Sequence, residues 1–317
     1  MATAVGVAAT RGGTLPVFQP GKHQSAEADI YITYLPVTMR RGGHMVVAPT
    51  DAGKYPVILF LHGFDINNKG YTNLLKHVAS HGFIVVAPKL YAMTFTMDDC
   101  NDIVNTKKIT NWLADPESGL LHALTKNPKF PGVEPDLTKL ALAGHSRGGH
   151  TTFATALGLG PSSELKLNFS ALIGVDPVAG ISDQMPPEVL SKKPGSFNLN
   201  GVPVLIVGMG ISPQSCAPDG LNHREFYVEC RPPRYHFVVT KYGHVDMLDD
   251  GITYRIGKCI CESNDKDPKE LARTTIGGLV VAFLRAKLQG NHEDLKAILH
   301  NPCLAPAELD PVECDPA

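Results

Sequence analysis

The stretch KLALAGHSRGGH, Lys139 to His150, decides the fold. Leu140 to Ala143 is an apolar run that suits a buried strand, and Thr151 to Leu157 suits a helix. Between them stands Gly144-x-Ser146-x-Gly148. A strand that turns sharply into a helix through this motif lifts the serine hydroxyl above the carboxyl edge of a sheet. The two glycines are needed because side chains there would collide with the neighbouring strand and helix. The N–H of the next residue, Arg147, then sits at a helix N-terminus, where a negative oxygen is stabilised. A bare GxSxG arises by chance in many chains; the strand before it and the helix after it make this one specific. Ser146 is therefore the expected nucleophile.

Working outward, Pro56 to Leu61 (PVILFL), Phe83 to Ala87 (FIVVA), Phe169 to Val175 (FSALIGV), Val202 to Val207 and His236 to Thr240 read as strands. Asp29 to Leu35 and His44 to Ala48 read as two more ahead of them. Lys69 to Ser80, Asn101 to Leu124 with a break near Pro116, and Lys269 to Leu288 read as helices. Strands alternating with helices imply a mostly parallel central sheet flanked by helices on both faces, with antiparallel strands at its start. With the elbow, this is an α/β-hydrolase fold. No repeat, low-complexity tract or linker divides the chain. The expected organisation is a mobile segment over 1–28 and a single domain over 29–317.

The chain has 317 residues, 43% hydrophobic and 19% charged, enough to bury a sizeable core. A formal net charge of -2 and the lack of a basic stripe argue against nucleic acid. The longest apolar runs, Tyr55 to Leu61 and Gly277 to Leu284, fall far short of the ~20 residues that span a bilayer. No secretory signal is expected, because no positively charged start precedes an apolar core. The first 26 residues hold no acid, several Ala and Thr, and Arg11 and Lys22. That is a faint hint of an organellar transit segment, and a mobile N-terminus is the preferred reading. Seven cysteines, an odd number in a long chain, do not suggest a secreted disulfide scaffold, although the cluster late in the chain leaves room for one or two bridges. Cys259-x-Cys261 lacks zinc-knuckle spacing, so neither a metal nor another cofactor is expected.

A serine hydroxyl attacks only when a base takes its proton and an acid orients that base. In this fold the order along the chain is Ser, Asp or Glu, then His. Asp176 directly follows the strand after the elbow helix; Asp219, past the next strand in a turn-like segment, is the rival acid. His244, in YGHVD just after the strand ending near Thr240, is the expected base among 13 histidines. His145 neighbours Ser146 but should point away from it, and His62, His223 and His236 are expected to be structural or solvated. The loop after PVILFL supplies the second oxyanion donor. There Gly63 allows close approach, and the N–H of Phe64 should partner that of Arg147.

These residues bring a family into view. From about residue 20 to the C-terminus the chain resembles the plant chlorophyllases. The likeness rests on PVILFLHGF (Pro56 to Phe64), LALAGHSRGGHTTFATALG (Leu140 to Gly158), ALIGVDPVAG (Ala171 to Gly180), SCAPDGLNHREFYVECRPP (Ser215 to Pro233) and KYGHVDMLDD (Lys241 to Asp250). The resemblance implies hydrolysis of the ester joining the chlorophyll macrocycle to phytol, with Ser146, Asp176 and His244 as the triad. It also implies action on pheophytin or related tetrapyrrole esters. The pigment's magnesium would belong to the substrate. Such a substrate needs a wide apolar mouth, for which Gly63, Phe64, Phe95 within Tyr91 to Met97, Val178 to Met185, Phe226 and Tyr227 are the candidates. These loops would also touch the membrane that holds the pigment, in the chloroplast or another intracellular membrane-associated compartment. Cys216 and Cys230 bracket the distinctive loop, and a bridge between them would fix its shape. Two alternatives stay open: a generic carboxylesterase or lipase-like enzyme on other lipid esters, and a tetrapyrrole carrier on a hydrolase scaffold. Nothing in the sequence specifies an oligomeric state.

Overall fold

The computed structural model describes residues 14–35, 43–90, 99–161, 164–211 and 215–316. Its strands are β1 (Ser25–Ile30), β2 (His44–Pro49), β3 (Gly53–Leu61), β4 (Ile84–Ala87), β5 (Val133–His145), β6 (Ala171–Val175), β7 (Val204–Met209), β8 (Arg234–Val239) and β9 (Leu309–Asp315). Its helices are α1 (Thr72–Ser80), α2 (Cys100–Leu113), α3 (Leu120–Thr125), α4 (Arg147–Ala156), α5 (His223–Glu229), α6 (Ile252–Ile260), α7 (Lys269–Leu288) and α8 (Glu293–His300). Among the described residues, the nine strands join one sheet in the order β1-β2-β4-β3-β5-β6-β7-β8-β9. From β4 to β8 the pairing is parallel, and β1, β2 and β9 add antiparallel edges.

Strand alternation divides the core into two halves. On β3, Ile58 and Phe60 face one cluster, with Leu74, Leu75 and Val78 of α1 and the apolar stripe of α7. Val57, Leu59 and Leu61 face the other, with Trp112 of α2, Leu120 of α3 and Phe153 of α4. Both faces of the central strands are covered, which explains their unbroken apolar sequences. The helices thus brace the sheet from both sides, and the loops at its carboxyl edge stand on a rigid frame.

One expectation needs correction. Residues 14–28, read from the sequence as part of a mobile segment, are packed. Val17 and Phe18 are buried, and the Phe18 ring occupies a notch at Gly278 of α7, where an added Cβ would lie 2.2 Å from Phe18 Cδ1. His77 Nε2 lies 2.8 Å from the Val17 carbonyl. Burying such a side chain contributes about 1.5–3 kcal/mol, so two adjacent anchors hold the segment against the flank of the domain. Consistently, the first strand begins at Ser25, earlier than the Asp29 read from the sequence. Beyond the helix read over Lys269 to Leu288, the chain adds α8 and then β9, which pairs antiparallel with β8 at the far edge.

Candidate active site

At the elbow, β5 ends at His145 and α4 begins at Arg147, leaving Ser146 alone in the turn. Ser146 has φ 56° and ψ -123°, a strained conformation for a residue with a side chain. The glycines make that turn sterically feasible. A Cβ at Gly144 would meet the Gly148 carbonyl oxygen at 2.1 Å, one at Gly148 the Leu61 carbonyl oxygen at 2.3 Å, and one at Gly149 the Pro177 Cβ at 2.6 Å. Gly148 therefore rests on the end of β3, next to the loop that carries Gly63 and Phe64.

His244 Nε2 is 2.8 Å from Ser146 Oγ, and His244 Nδ1 is 2.6 Å from Asp176 Oδ2. All three side chains are buried or nearly so. Nδ1–H donates to the carboxylate, which leaves Nε2 free of a proton and able to accept the serine O–H. Asp176 follows β6, and its second oxygen accepts the Met209 N–H at 3.0 Å. Burial alone would raise the Asp176 carboxyl. The His244 hydrogen bond, the nearby imidazole charges and the Met209 N–H outweigh it and hold the group below the ordinary carboxylate value. Asp219, the rival acid, is exposed and bonds neither to His244 nor to Ser146. The loop that carries His244 is turned by Asp246, whose Oδ2 accepts the N–H groups of Gly243 at 2.7 Å and Asn264 at 2.8 Å.

Gly63 lies against Ser146: a Cβ there would sit 3.2 Å from Ser146 Cβ and 3.0 Å from His145 Nδ1. The Phe64 ring lies 5.7 Å from the Arg147 guanidinium carbon. That guanidinium turns into the protein. Its Nη2 is 2.8 Å from Asp102 Oδ2 and its Nε 3.3 Å from Asp99 Oδ1, all buried. Asp99 also accepts from His150 Nδ1 at 2.8 Å and Thr151 Oγ1 at 2.7 Å, binding the start of α2 to α4. Burial and the Asp99 charge push the Asp102 carboxyl up. Asp99 and Asp102 are site supports that the sequence did not single out.

Other candidates fall elsewhere. Phe226 is fully buried in the core, its ring 5.0 Å from Phe153, so it is not part of an open pocket. Tyr227 stacks on His236 at 4.8 Å under the Arg234 guanidinium. Both were expected from their loop-like sequence, yet the segment folds into α5, whose apolar side seals the sheet. His223 and His236 bond to each other at 2.9 Å, and His236 to Glu313 at 2.7 Å. Phe95 and the rest of Tyr91 to Met97 lie outside the described residues. Cys216 pairs with Cys261, not with Cys230. Cys230 follows α5 inside the core, where burial pushes its thiol up, whereas Cys261 caps α6, next to Glu262, whose carbonyl oxygen lies 2.0 Å from where a Cβ at Gly243 would stand.

Two histidines beside the site, His62 and His145, are held neutral. Burial depresses His62 to about 4 and His145 to about 3. Their folded values lie below the unfolded value, so protonation favours the unfolded chain. The stability they confer is complete above about pH 6.5 and is lost as pH falls towards 4. Each should cost roughly 2 kcal/mol at pH 5 relative to pH 8. Calorimetric Tm should therefore fall clearly between pH 8 and pH 5; equal values would contradict this account.

A family model described as Chlorophyllase matches residues 13–316. This chain belongs to the chlorophyllase family. Chlorophyllase-2 of Arabidopsis thaliana is 43% identical over 267 residues, covering 80% of each chain. Chlorophyllase-1 of the same plant is 40% identical over 283 residues, with 84% of this chain and 82% of the relative covered. A protein of Citrus unshiu named "Chlorophyllase-1, chloroplastic" is 36% identical over 312 residues, covering 95% of this chain and 89% of its own. Family membership and the α/β-hydrolase sheet agree with the resemblance drawn from the motifs.

Proposed function

We propose that this protein hydrolyses the phytyl ester of chlorophyll to chlorophyllide and phytol, with Ser146 as nucleophile, His244 as base and Asp176 as the acid that orients it. The observation that carries this reading is the hydrogen-bonded sequence Asp176–His244–Ser146, at 2.6 and 2.8 Å, in a chain of the chlorophyllase family. Ser146 Oγ attacks the ester carbonyl as His244 Nε2 takes its proton. Asp176 stabilises the imidazolium and keeps the tautomer. The N–H groups of Phe64 and Arg147 receive the tetrahedral oxyanion, each such donor being worth about 3 kcal/mol of barrier. His244 then protonates the departing phytol oxygen. Water, deprotonated by the same base, attacks the acyl-serine and releases the chlorophyllide carboxylate.

The substrate is apolar and belongs to a membrane phase, and one surface suits contact with lipid. On α6, Ile256 and Ile260 are 56% and 64% exposed and one helical turn apart, with Arg255 and Lys258 also facing solvent. The inner side of this helix rests on Val245, the neighbour of the base: a Cβ at Gly257 would lie 3.1 Å from Val245 Cγ1. Lys258 is paired with Asp265 at 3.0 Å, and exposed aliphatic side chains beside the cationic Arg255 suit an anionic bilayer surface. The chloroplast is the proposed location, supported by the name of the citrus relative.

Purified protein should release chlorophyllide from chlorophyll dispersed in detergent and from chlorophyll in anionic vesicles. Ile256→Asp with Ile260→Asp should lower the vesicle rate about tenfold and leave the detergent rate unchanged. Fluorophosphonate labelling without chlorophyllide from either preparation would overturn the substrate; an equal vesicle rate for the variant would overturn the lipid surface.

A further inference from the structure

Tyr71, in the turn that enters α1, is fully buried beside the site, and its hydroxyl meets two parts of the active site at once. It lies 3.0 Å from the Gly63 nitrogen and 2.7 Å from His145 Nδ1. His145 Nε2 in turn lies 2.9 Å from the carbonyl oxygen of His244, and the two imidazole centroids are 4.6 Å apart.

The direction of each bond follows from the atoms. A carbonyl oxygen only accepts, so His145 carries its proton on Nε2 and donates to His244. Nδ1 of the neutral ring then accepts, so Tyr71 donates its O–H there. The Tyr71 oxygen accepts the Gly63 N–H. The sequence Gly63 N–H, Tyr71 O–H, His145 Nδ1, then His145 Nε2–H and the His244 carbonyl has no mismatched member. It is enclosed in protein, where each unmade bond would leave a costly buried polar atom. The other edge of the loop is also held. The Gly63 carbonyl accepts from His62 Nδ1 at 2.9 Å and from the Ile66 N–H at 3.2 Å. Because the Gly63–Phe64 peptide is planar and trans, fixing that carbonyl fixes the direction of the Phe64 N–H.

We propose that Tyr71 is a positioning residue for ester hydrolysis, joining the loop of the Phe64 oxyanion donor to the backbone of the base through His145. The proposal deepens the serine-esterase reading and rests on it. Tyr71 touches neither the proton in flight nor the substrate. It keeps the donor and the base in register, so that charge developing on the oxyanion and proton transfer to His244 meet prepared partners.

The test is Tyr71→Phe, which removes one oxygen and preserves the ring packed at 5.0 Å from Phe60. Steady-state hydrolysis of p-nitrophenyl butyrate, normalised to fluorophosphonate-titrated sites, separates kcat from KM. The expected result is a kcat about 10–100-fold lower with KM within threefold of wild type. In a His145→Leu background, which removes the acceptor for the Tyr71 O–H, the same change should cost less per titrated site, because the connection is already broken. A kcat per titrated site within twofold of wild type, or losses that multiply across the two positions, would overturn the proposal. A wild-type protein that fails to label would instead overturn the esterase reading itself.

Discussion

Ser146→Ala should lower chlorophyll hydrolysis by roughly 10⁵-fold while the protein folds as before. In the proposed mechanism the hydroxyl is the attacking atom, and its hydrogen bond is to His244 at 2.8 Å, so its loss would remove the reaction without removing a support of the fold. The strained backbone at φ 56° is imposed by the neighbouring glycines and helix, and alanine meets the same strain as serine. Chlorophyllide extracted into the polar phase, read beside the far-ultraviolet circular dichroism and Tm, checks both halves. A variant that retains even a hundredth of the wild-type rate would mean that another group attacks the ester.

Asp176→Asn should cost about 10⁴-fold in kcat, and Asp219→Asn less than twofold. The argument for the first is geometric. Asp176 Oδ1 accepts the Met209 N–H, so an asparagine keeps its oxygen on that side and turns its amide NH₂ towards His244. The amide then donates to Nδ1, moving the imidazole proton to Nε2, where it blocks acceptance from Ser146. Asparagine also tolerates the left-handed backbone of residue 176, at φ 41°, so the loss should not come from misfolding. Asp219 stands exposed in its turn. Equal losses at the two positions, or a greater loss at Asp219, would reverse the assignment.

The central strands were legible because they are buried on both faces: an unbroken apolar run between polar segments has few other uses in a chain of this kind. The elbow was legible because its glycines answer to backbone contacts of 2.1 and 2.3 Å, a constraint written locally. Asp176 and His244 followed from counting strand ends. The edges were not legible. β9 carries Pro311 and, past the buried Leu309, mixes half-buried and exposed residues without a strict alternation, so its pattern resembles that of a loop until β8 offers hydrogen bonds. Phe226 and Tyr227 were misplaced for a related reason. An aromatic pair in a polar loop reads as a pocket wall, and only the closing of α5 over Phe153 and Phe197 reveals a core role. Tyr71 left no local sign at all. Its importance comes from a crossing between the turn before α1 and the end of β5, residues far apart in sequence.

The neutralisation of Arg147 bears on the end of the catalytic cycle. Ester hydrolysis leaves a carboxylate where the carbonyl stood, next to Ser146. The guanidinium nearest along the chain is already bound to Asp102 at 2.8 Å and to Asp99 at 3.3 Å, with a side chain 4% exposed. The newly formed anion therefore finds no ion pair with this residue, and Asp176, ionised behind the base, repels it. A substrate that enters uncharged leaves as an anion that neither the paired Arg147 nor the ionised Asp176 holds, which favours product departure over retention.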